Sequence, residues 1–528
     1  MVPDLPDLPD IPAPCPPVAL DVEMRRSVLV LSACLNRSGK IDGPAGHAYI
    51  ARLLSSDISS DNLLRSLVQD LLGKKLSSKS WDLCLNQADK WLDDGIQVAE
   101  STARGCDGSH KRDEKTSCPV VFFFRGILPR DLPWLAVFNS RKPRSLSPDT
   151  PWLEVLRFFL NNSRGGKAAL ASGTGTLTYD LVSAHAVRAG IPLVRFAAFS
   201  ILEPGSDEAS LREFPGSGVI SCLFSTHACP RERRLVCRDR DLAALSNVHA
   251  VVELRSGGNL ERVLTERQSI SPVPRFVFSP AKKTMQNAGN FLLLEKLEKF
   301  PRHCRKIVLP EKSRSFPGNP TDTIAASPER AEPPPGFPEW DEYLFHYTRS
   351  CVGPWPGQSK TEYLFELLDS APFSGHTALD TLARILKEAR LRGGYKLVRG
   401  TEPVISWSSH PPSRFWSLRK WNPGLVRWTV EPYGIAISRG MLRKLGAKPA
   451  IYGTDEVFKV LREIEKFRFQ LSRPGRCDWR SEREWRLRGD LNLDASVRGC
   501  WFAFVPGTAE KEKLLRLTGP GFPVVVFG

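Results

Sequence analysis

Short stretches of small, hydroxyl and basic residues carry this sequence's capacity to hold an anion. In Ser172-Gly173-Thr174-Gly175-Thr176, glycines and hydroxyls gather where an apolar run ends. An amphipathic stretch with Leu181, Ala184, His185 and Val187 follows, breaks at Gly190, and gives way to IPLVRFAAF. Strand, Gly-rich turn, helix and strand in that order offer backbone N–H groups and a helix N-terminus to a phosphate. A second such unit comes later, where HAVVEL runs into Arg255-Ser256-Gly257-Gly258 and a helix begins near Asn259. Asn139-Ser140-Arg141 closes the strand-like WLAVF, and Arg238-Asp239-Arg240 stands before DLAALSN. Small residues admit phosphate oxygens, and hydroxyls and guanidinium groups donate to them. The plainer alternative is that the glycines only make tight turns. No phosphate-loop lysine follows either turn. Asp180 and His185 lie five apart on one helix and share no face, which fits a packing histidine better than a catalytic pair.

The second group of chemical residues lies near the C-terminus. YLFHYTR places His346 and Thr348 on one face of a strand and Tyr347 on the other. DWRSEREWRLRGDL sets Glu482, Arg483, Glu484 and Arg486 around Trp479 and Trp485. Carboxylates among arginines and aromatics form structural ion networks or act as catalytic or ribose-binding acids. The same interleaving suits base stacking with phosphate neutralisation. Trp407, Trp416, Trp421 and Trp428 read as packing residues.

The elements that must position these residues divide the chain. Residues 1–17, rich in Pro-Asp-Leu, form an extended tail. Residues 18–103 have helical periodicity, with Ser60-Asp61 as a cap. Residues 104–117 are a polar linker. Residues 118–310 alternate strand and helix patterns, which predicts a largely parallel sheet. Residues 311–338 are a Pro/Ser-rich linker, and 339–528 mix short strands and helices as an α+β domain.

Composition narrows the partners. A net charge of +16 favours nucleic acid, nucleotides or other phosphate-bearing ligands. The 12 cysteines form no C-x-x-C pair and no zinc spacing, so reduced thiols and no metal site are expected. With no signal pattern and no bilayer-length apolar run, the expectation is a cytoplasmic protein without a membrane partner.

Three segments in order resemble the SLOG superfamily and its DNA-processing protein A branch. They are PVVFFFRGILPRDLPWLAVFNSRKPRSL, SGTGTLTYDLVSAHAVRAGIPLV and RRLVCRDRDLAALSNVHAVVELRSGGNLERVL, spanning about 119–280. Asn139 replaces the family's usual Gly, and Arg238-Asp239-Arg240 stands for its Arg-Asn-Arg. The resemblance implies a Rossmann-like α/β central domain with a ligand crevice. The bound group would be single-stranded DNA or a nucleotide-derived signal. The phosphoribohydrolase motif of this superfamily is incomplete here, since RSGGNLERVL lacks the second Gly-Thr step and Glu261 is out of register. Residues 343–490 resemble abortive-infection proteins of the AbiGi type through His346–Thr348, Pro403–Trp407, Tyr433–Ser438, Lys448–Tyr452 and Trp479–Arg486. A weaker likeness to ADP-ribosyltransferase folds implies NAD, with His346, Tyr347 and Thr348 holding it and Glu484 or Glu482 acting on the ribosyl carbon. The leading expectation is a defence-type sensor–effector protein. The alternatives are a single-stranded-DNA-binding protein of the DNA-processing type and a non-catalytic interaction protein. A homo-oligomer is among the expected partners.

Overall fold

The computed structural model describes residues 18–38, 43–56, 60–73, 75–100, 121–142, 151–163, 168–203, 213–227, 230–270, 273–298, 304–308, 339–351, 353–395, 402–414, 430–472, 480–494 and 497–527, with short pieces between. The expected tail 1–17, the linkers 104–117 and 311–338, and Trp416 and Trp479 lie outside them. The described residues divide into two compact units, 18–308 and 339–527.

The first unit is mixed α/β. Its strands are β1 (Val18–Ala19), β2 (Gln97–Glu100), β3 (Val121–Arg125), β4 (Trp134–Phe138), β5 (Ala169–Gly173), β6 (Leu193–Phe196), β7 (Gly218–Ser221), β8 (Val248–Val251), β9 (Arg275–Phe278) and β10 (Cys304–Ile307). Its helices are α1 (Val22–Ser38), α2 (Gly43–Leu54), α3 (Asp61–Leu72), α4 (Ser78–Asp93), α5 (Pro151–Asn162), α6 (Leu177–Ala189), α7 (Arg231–Leu245), α8 (Asn259–Ile270) and α9 (Ala288–Leu297). One sheet contains every strand, in the order β1-β2-β3-β7-β6-β5-β4-β8-β9-β10. From β7 to β10 all neighbours are parallel, and β3 joins β7 antiparallel. Strands β4 to β8 are buried throughout, as parallel strands between two layers must be.

The segment 18–103 is more than a helical region. Val18–Ala19 and Gln97–Glu100 within it are strands that extend the sheet, with Val18 opposite Glu100 and Val98 opposite Phe123. Alternation along β3 explains the docking. Val121 and Phe123 pack against Val28, Leu31, Val68 and Trp91 of the helical layer, while Phe122 and Phe124 join Trp134 and Phe196 in the other core. Ser60 caps α3 as its sequence predicts, accepting the Leu63 N–H at 3.4 Å.

The second unit is built on a seven-stranded sheet. Its middle strands are Val404–Ser408, Tyr343–Tyr347 and Gly434–Ser438, with Glu484–Arg488 and Trp501–Val505 outside them. Helix Ala378–Glu388 packs Leu379, Leu382 and Leu386 on one face of this sheet. Its start is fixed by a capping box between Thr377 and Asp380.

Candidate functional site: the carboxyl edge of the large sheet

Strand β4 pairs with β5 on one side and β8 on the other, so the chain reverses its direction of travel across the sheet here. In open α/β sheets the crevice beyond the carboxyl ends at such a reversal is where ligands bind. Three of the sequence-selected stretches meet at this place. The Ser140 N–H donates to the Glu253 carbonyl at 2.7 Å, and its Oγ accepts the Arg255 N–H at 2.8 Å. These bonds tie the loop after β4 to the loop after β8. Asn139 Nδ2 donates to Thr178 Oγ1 at 3.0 Å, which ties β4 to the first turn of α6.

The hydroxyls of the Ser172–Thr176 turn bond within the protein. Ser172 is fully buried and its Oγ donates to the Tyr179 carbonyl at 2.9 Å. The Thr174 N–H donates to the Phe196 carbonyl at 3.0 Å. Thr176 is the N-cap of α6 and accepts the Tyr179 N–H at 3.4 Å. Gly173 has no room for a side chain, because a Cβ there would lie 2.6 Å from the Tyr179 ring. Gly175 is exposed and adopts φ +86°, a conformation that favours glycine.

Arg238, Asp239 and Arg240 do not precede a helix. Helix α7 starts at Arg231, so these residues fall in its middle, and Arg238 and Asp239 point inward. Arg238 Nη1 donates to the Thr174 carbonyl, its Nε donates to Asp239 Oδ1 at 2.9 Å, and the guanidinium lies 4.8 Å from the Tyr179 ring centroid. The Tyr179 hydroxyl donates to the same carboxylate oxygen at 2.9 Å. Burial raises the Asp239 pKa even though the adjacent guanidinium and hydroxyl lower it. Arg238 is thus a latch beneath the turn, and Arg240 is half-buried.

The turn Arg255–Gly258 is exposed or half-exposed, with Gly257 at φ +70°. Its Gly257 N–H donates to Glu261 Oε2 at 2.9 Å, so a carboxylate of α8 occupies that donor. A cavity of about 320 Å³ flanks this turn, bordered by Glu261, Arg262, Glu266 and Lys296.

Several residues here were not singled out from the sequence. Lys142 and Glu253 form a buried ion pair between the loops after β4 and β8, with side-chain exposures of 3 % and 12 %. Asn290, fully buried, accepts the Leu254 N–H at 2.6 Å and donates to the Val252 and Phe278 carbonyls, closing the ends of β8 and β9. Cys222 donates its thiol to Asp241 Oδ2 at 2.6 Å, and burial pushes Asp241 up to about 7. The loop after β9 exposes Lys282 and Lys283, and Asn287 braces it by accepting the Thr284 N–H at 2.7 Å. A lysine pair following RFVFSP was the available signal for that loop. Along the edge, Arg141, Arg255, Lys282 and Lys283 are exposed at the ends of three adjacent strands, β4, β8 and β9. Asp180 is half-buried on α6 and His185 buried.

In the second unit His346 and Glu484 are not brought together. His346 lies on the sheet face of Leu344 and Trp407, its ring 5.6 Å from Trp407, whereas Glu484 alternates with Trp485 on the opposite face. His346 Nδ1 donates to the Ser406 carbonyl at 2.9 Å. The surrounding protein pushes its pKa down to about 4, and Arg349 acts in the same direction. Glu484 accepts from Ser406 Oγ at 2.6 Å and from Arg486 Nε at 2.9 Å. Tyr347 donates to the His410 carbonyl at 3.0 Å and Thr348 to the Ala378 carbonyl at 2.8 Å, so both hydroxyls serve packing. Glu482 lies in a short 3-10 turn, where its carbonyl accepts from Ser408 Oγ at 2.8 Å. Among the described residues no group of three or more metal-ligating side chains occurs, and no helix is long and apolar enough to cross a membrane.

No protein-family model matches the chain, and no curated protein matches it. Among solved structures, DNA processing protein A from Helicobacter pylori, described for its single-stranded DNA binding mode, is similar at 16% identity and a TM-score of 0.30. That match covers 40% of this chain and 90% of that one. DNA processing protein A from Streptococcus pneumoniae is similar at 14% identity and a TM-score of 0.33, covering 54% of this chain and 92% of that one.

Proposed function

We propose that the first unit is a Rossmannoid of the SLOG and DNA-processing type that binds single-stranded nucleic acid along the carboxyl edge of its sheet, without catalysis. The observation that carries this reading is the division of labour at that edge. Several donors beside the two Gly-rich turns are engaged within the protein: Ser172 with Tyr179, Gly257 with Glu261, Arg238 with Thr174 and Asp239. The Lys142–Glu253 pair fills the space between the two loops at the reversal. The cations that face solvent, Arg141, Arg255, Lys282 and Lys283, stand instead on successive strand ends. Neighbouring strands are about 5 Å apart, so these side chains form a row that can follow a flexible phosphate chain. A single buried nucleotide would need a concave, water-excluding site. The sequence resemblance to DNA-processing protein A implies the same partner, and the net charge of +16 is in keeping with it. The effector reading of the second unit gains no support from His346 and Glu484, which share no centre.

The test is binding of a labelled single-stranded oligonucleotide across a salt series. Each phosphate contact contributes about 0.7 to the slope of log affinity against log salt. Arg255→Ala should flatten the slope by about that amount, and Lys282→Ala with Lys283→Ala by about twice it. Unchanged affinity and slope in all three substitutions would sink the proposal.

A further inference from the structure

Among the described residues of the first unit, Met285 is the most exposed large apolar side chain, at 82%. It lies in the loop between β9 and α9, directly after Lys282, Lys283 and Thr284, which also face solvent. Asn287 fixes the shape of that loop. Its buried side chain accepts the Thr284 N–H at 2.7 Å and donates Nδ2 to the Lys282 carbonyl at 3.1 Å. Its own N–H donates to the Thr284 carbonyl at 3.3 Å. A turn closed on itself in this way presents the thioether to water already ordered, so a partner that covers it has little left to immobilise.

The surroundings separate Met285 from a stray surface apolar residue. Lys283 Nζ lies 5.9 Å from the ring centroid of Phe291, a half-buried residue in the first turn of α9. That turn is fastened to the neighbouring loop, where the Gly289 N–H donates to the Leu254 carbonyl at 2.8 Å, next to Arg255. On the other side the Ser279 N–H donates to the Ile307 carbonyl at 2.8 Å, and Val308, just past the end of β10, is 61% exposed. The carboxyl edge therefore carries cations at the ends of β4, β8 and β9 and bare apolar groups at the ends of β9 and β10.

An unpaired strand offers phosphates and base faces in alternation. Cations suit the first, and an apolar, polarisable side chain suits the second. Methionine is among the residues that lie against or between bases. A duplex has its base faces stacked on one another and shows only their edges in the grooves. Building on the reading of this edge as a nucleic-acid surface, we propose that Met285 is the contact by which it selects unpaired strands over duplexes. A base face rests on the Met285 side chain while Lys282 and Lys283 take the flanking phosphates. Cations alone neutralise the phosphates of either form, so the preference for a single strand comes from Met285.

The experiment uses the full chain and three labelled ligands of equal length: a mixed-sequence single strand, its duplex, and an abasic single strand. Met285→Ala should weaken binding of the base-bearing strand about five- to tenfold and change binding of the duplex and the abasic strand by less than about twofold. Its salt slope should remain that of wild type, because no charge is lost. Met285→Phe keeps an apolar face and should restore the affinity. The side chain is exposed, so an unchanged urea midpoint verifies that each variant is folded. An equal loss on all three ligands overturns the proposal, as does a phenylalanine variant as weak as the alanine one. If Arg255→Ala flattens the salt slope while Met285→Ala binds like wild type, the cation row stands and the role of Met285 falls. If the wild-type chain binds none of the three ligands, both fall.

Discussion

Asp241 concentrates the consequences of burial in one carboxyl group. It is 4% exposed and accepts the Cys222 thiol, and burial pushes its carboxyl up to about 7, well above the ordinary carboxylate range. A carboxyl whose folded pKa is raised favours folding most when protonated. Its contribution is therefore greatest below about pH 4, declines as pH rises, and levels off above about pH 7, a change of roughly 4 kcal/mol. Asp241→Asn should leave stability nearly unchanged at pH 4 and exceed wild type at pH 8, with the difference opening across that window. Urea unfolding at a series of pH values checks this, and parallel curves for the two proteins would refute it. Gly173 makes a steric counterpart. Gly173→Ala places a Cβ 2.6 Å from the buried Tyr179 ring and 3.0 Å from Arg238 Cδ. Overpacking of that kind costs about 1–3 kcal/mol, which a shift in the urea midpoint would register. The role of Arg238 was not legible beforehand. RERRLVCRDR has few apolar residues, so α7 gave no sign of beginning at Arg231, and a mid-helix arginine passed for a loop residue.

Elements were more legible than their neighbours in space. The Gly-rich turns, helices α6 and α8 and their flanking strands lie where local residue patterns place them, because caps, glycines and apolar periodicity are properties of neighbouring residues. The order of strands depends on contacts between distant residues, and so the reversal at β4 became visible only in the sheet. Strands β1 and β2 were missed for a simpler reason. At two and four residues they are too short to show a period of two. The Trp91–Leu202 bond also crosses between distant segments, and it has a measurable effect at the level of elements. Trp91→Phe keeps an aromatic ring in the core but removes the donor, leaving the Leu202 carbonyl without that partner. The expected cost is about 1–2 kcal/mol, with faster amide exchange in the loop after β6. Unaltered exchange there would mean that the helical layer does not restrain that loop.

For the whole molecule, the excess of basic residues sets how binding responds to conditions. A row of exposed cations attracts a polyanion over a distance near the Debye length, about 8–10 Å at ordinary salt. Association with single-stranded nucleic acid should therefore slow strongly as salt increases, while the unfolding midpoint in urea moves little. Stopped-flow mixing at two salt concentrations separates these effects, and equal association rates would argue against steering by the edge. At this scale the sequence was readable in its charge, which needs no knowledge of pairing, whereas the helical segment that it sets apart at 18–103 shares the sheet of the first unit through Val98 and Phe123.

The chain from β1 to β2 leaves the sheet, forms the helical layer and returns to pair beside its own start, with Val18 opposite Glu100 and Gln97 opposite Phe124. A covalent break placed between Glu100 and Val121 would thus produce two polypeptides with matching apolar faces and matching strand edges. Each lacks what the other supplies: the earlier piece needs Val121, Phe123 and Val219 to complete its core, and the later one needs the helices. The first unit is in that sense a natural split protein, whose halves should reconstitute when mixed and misbehave when apart.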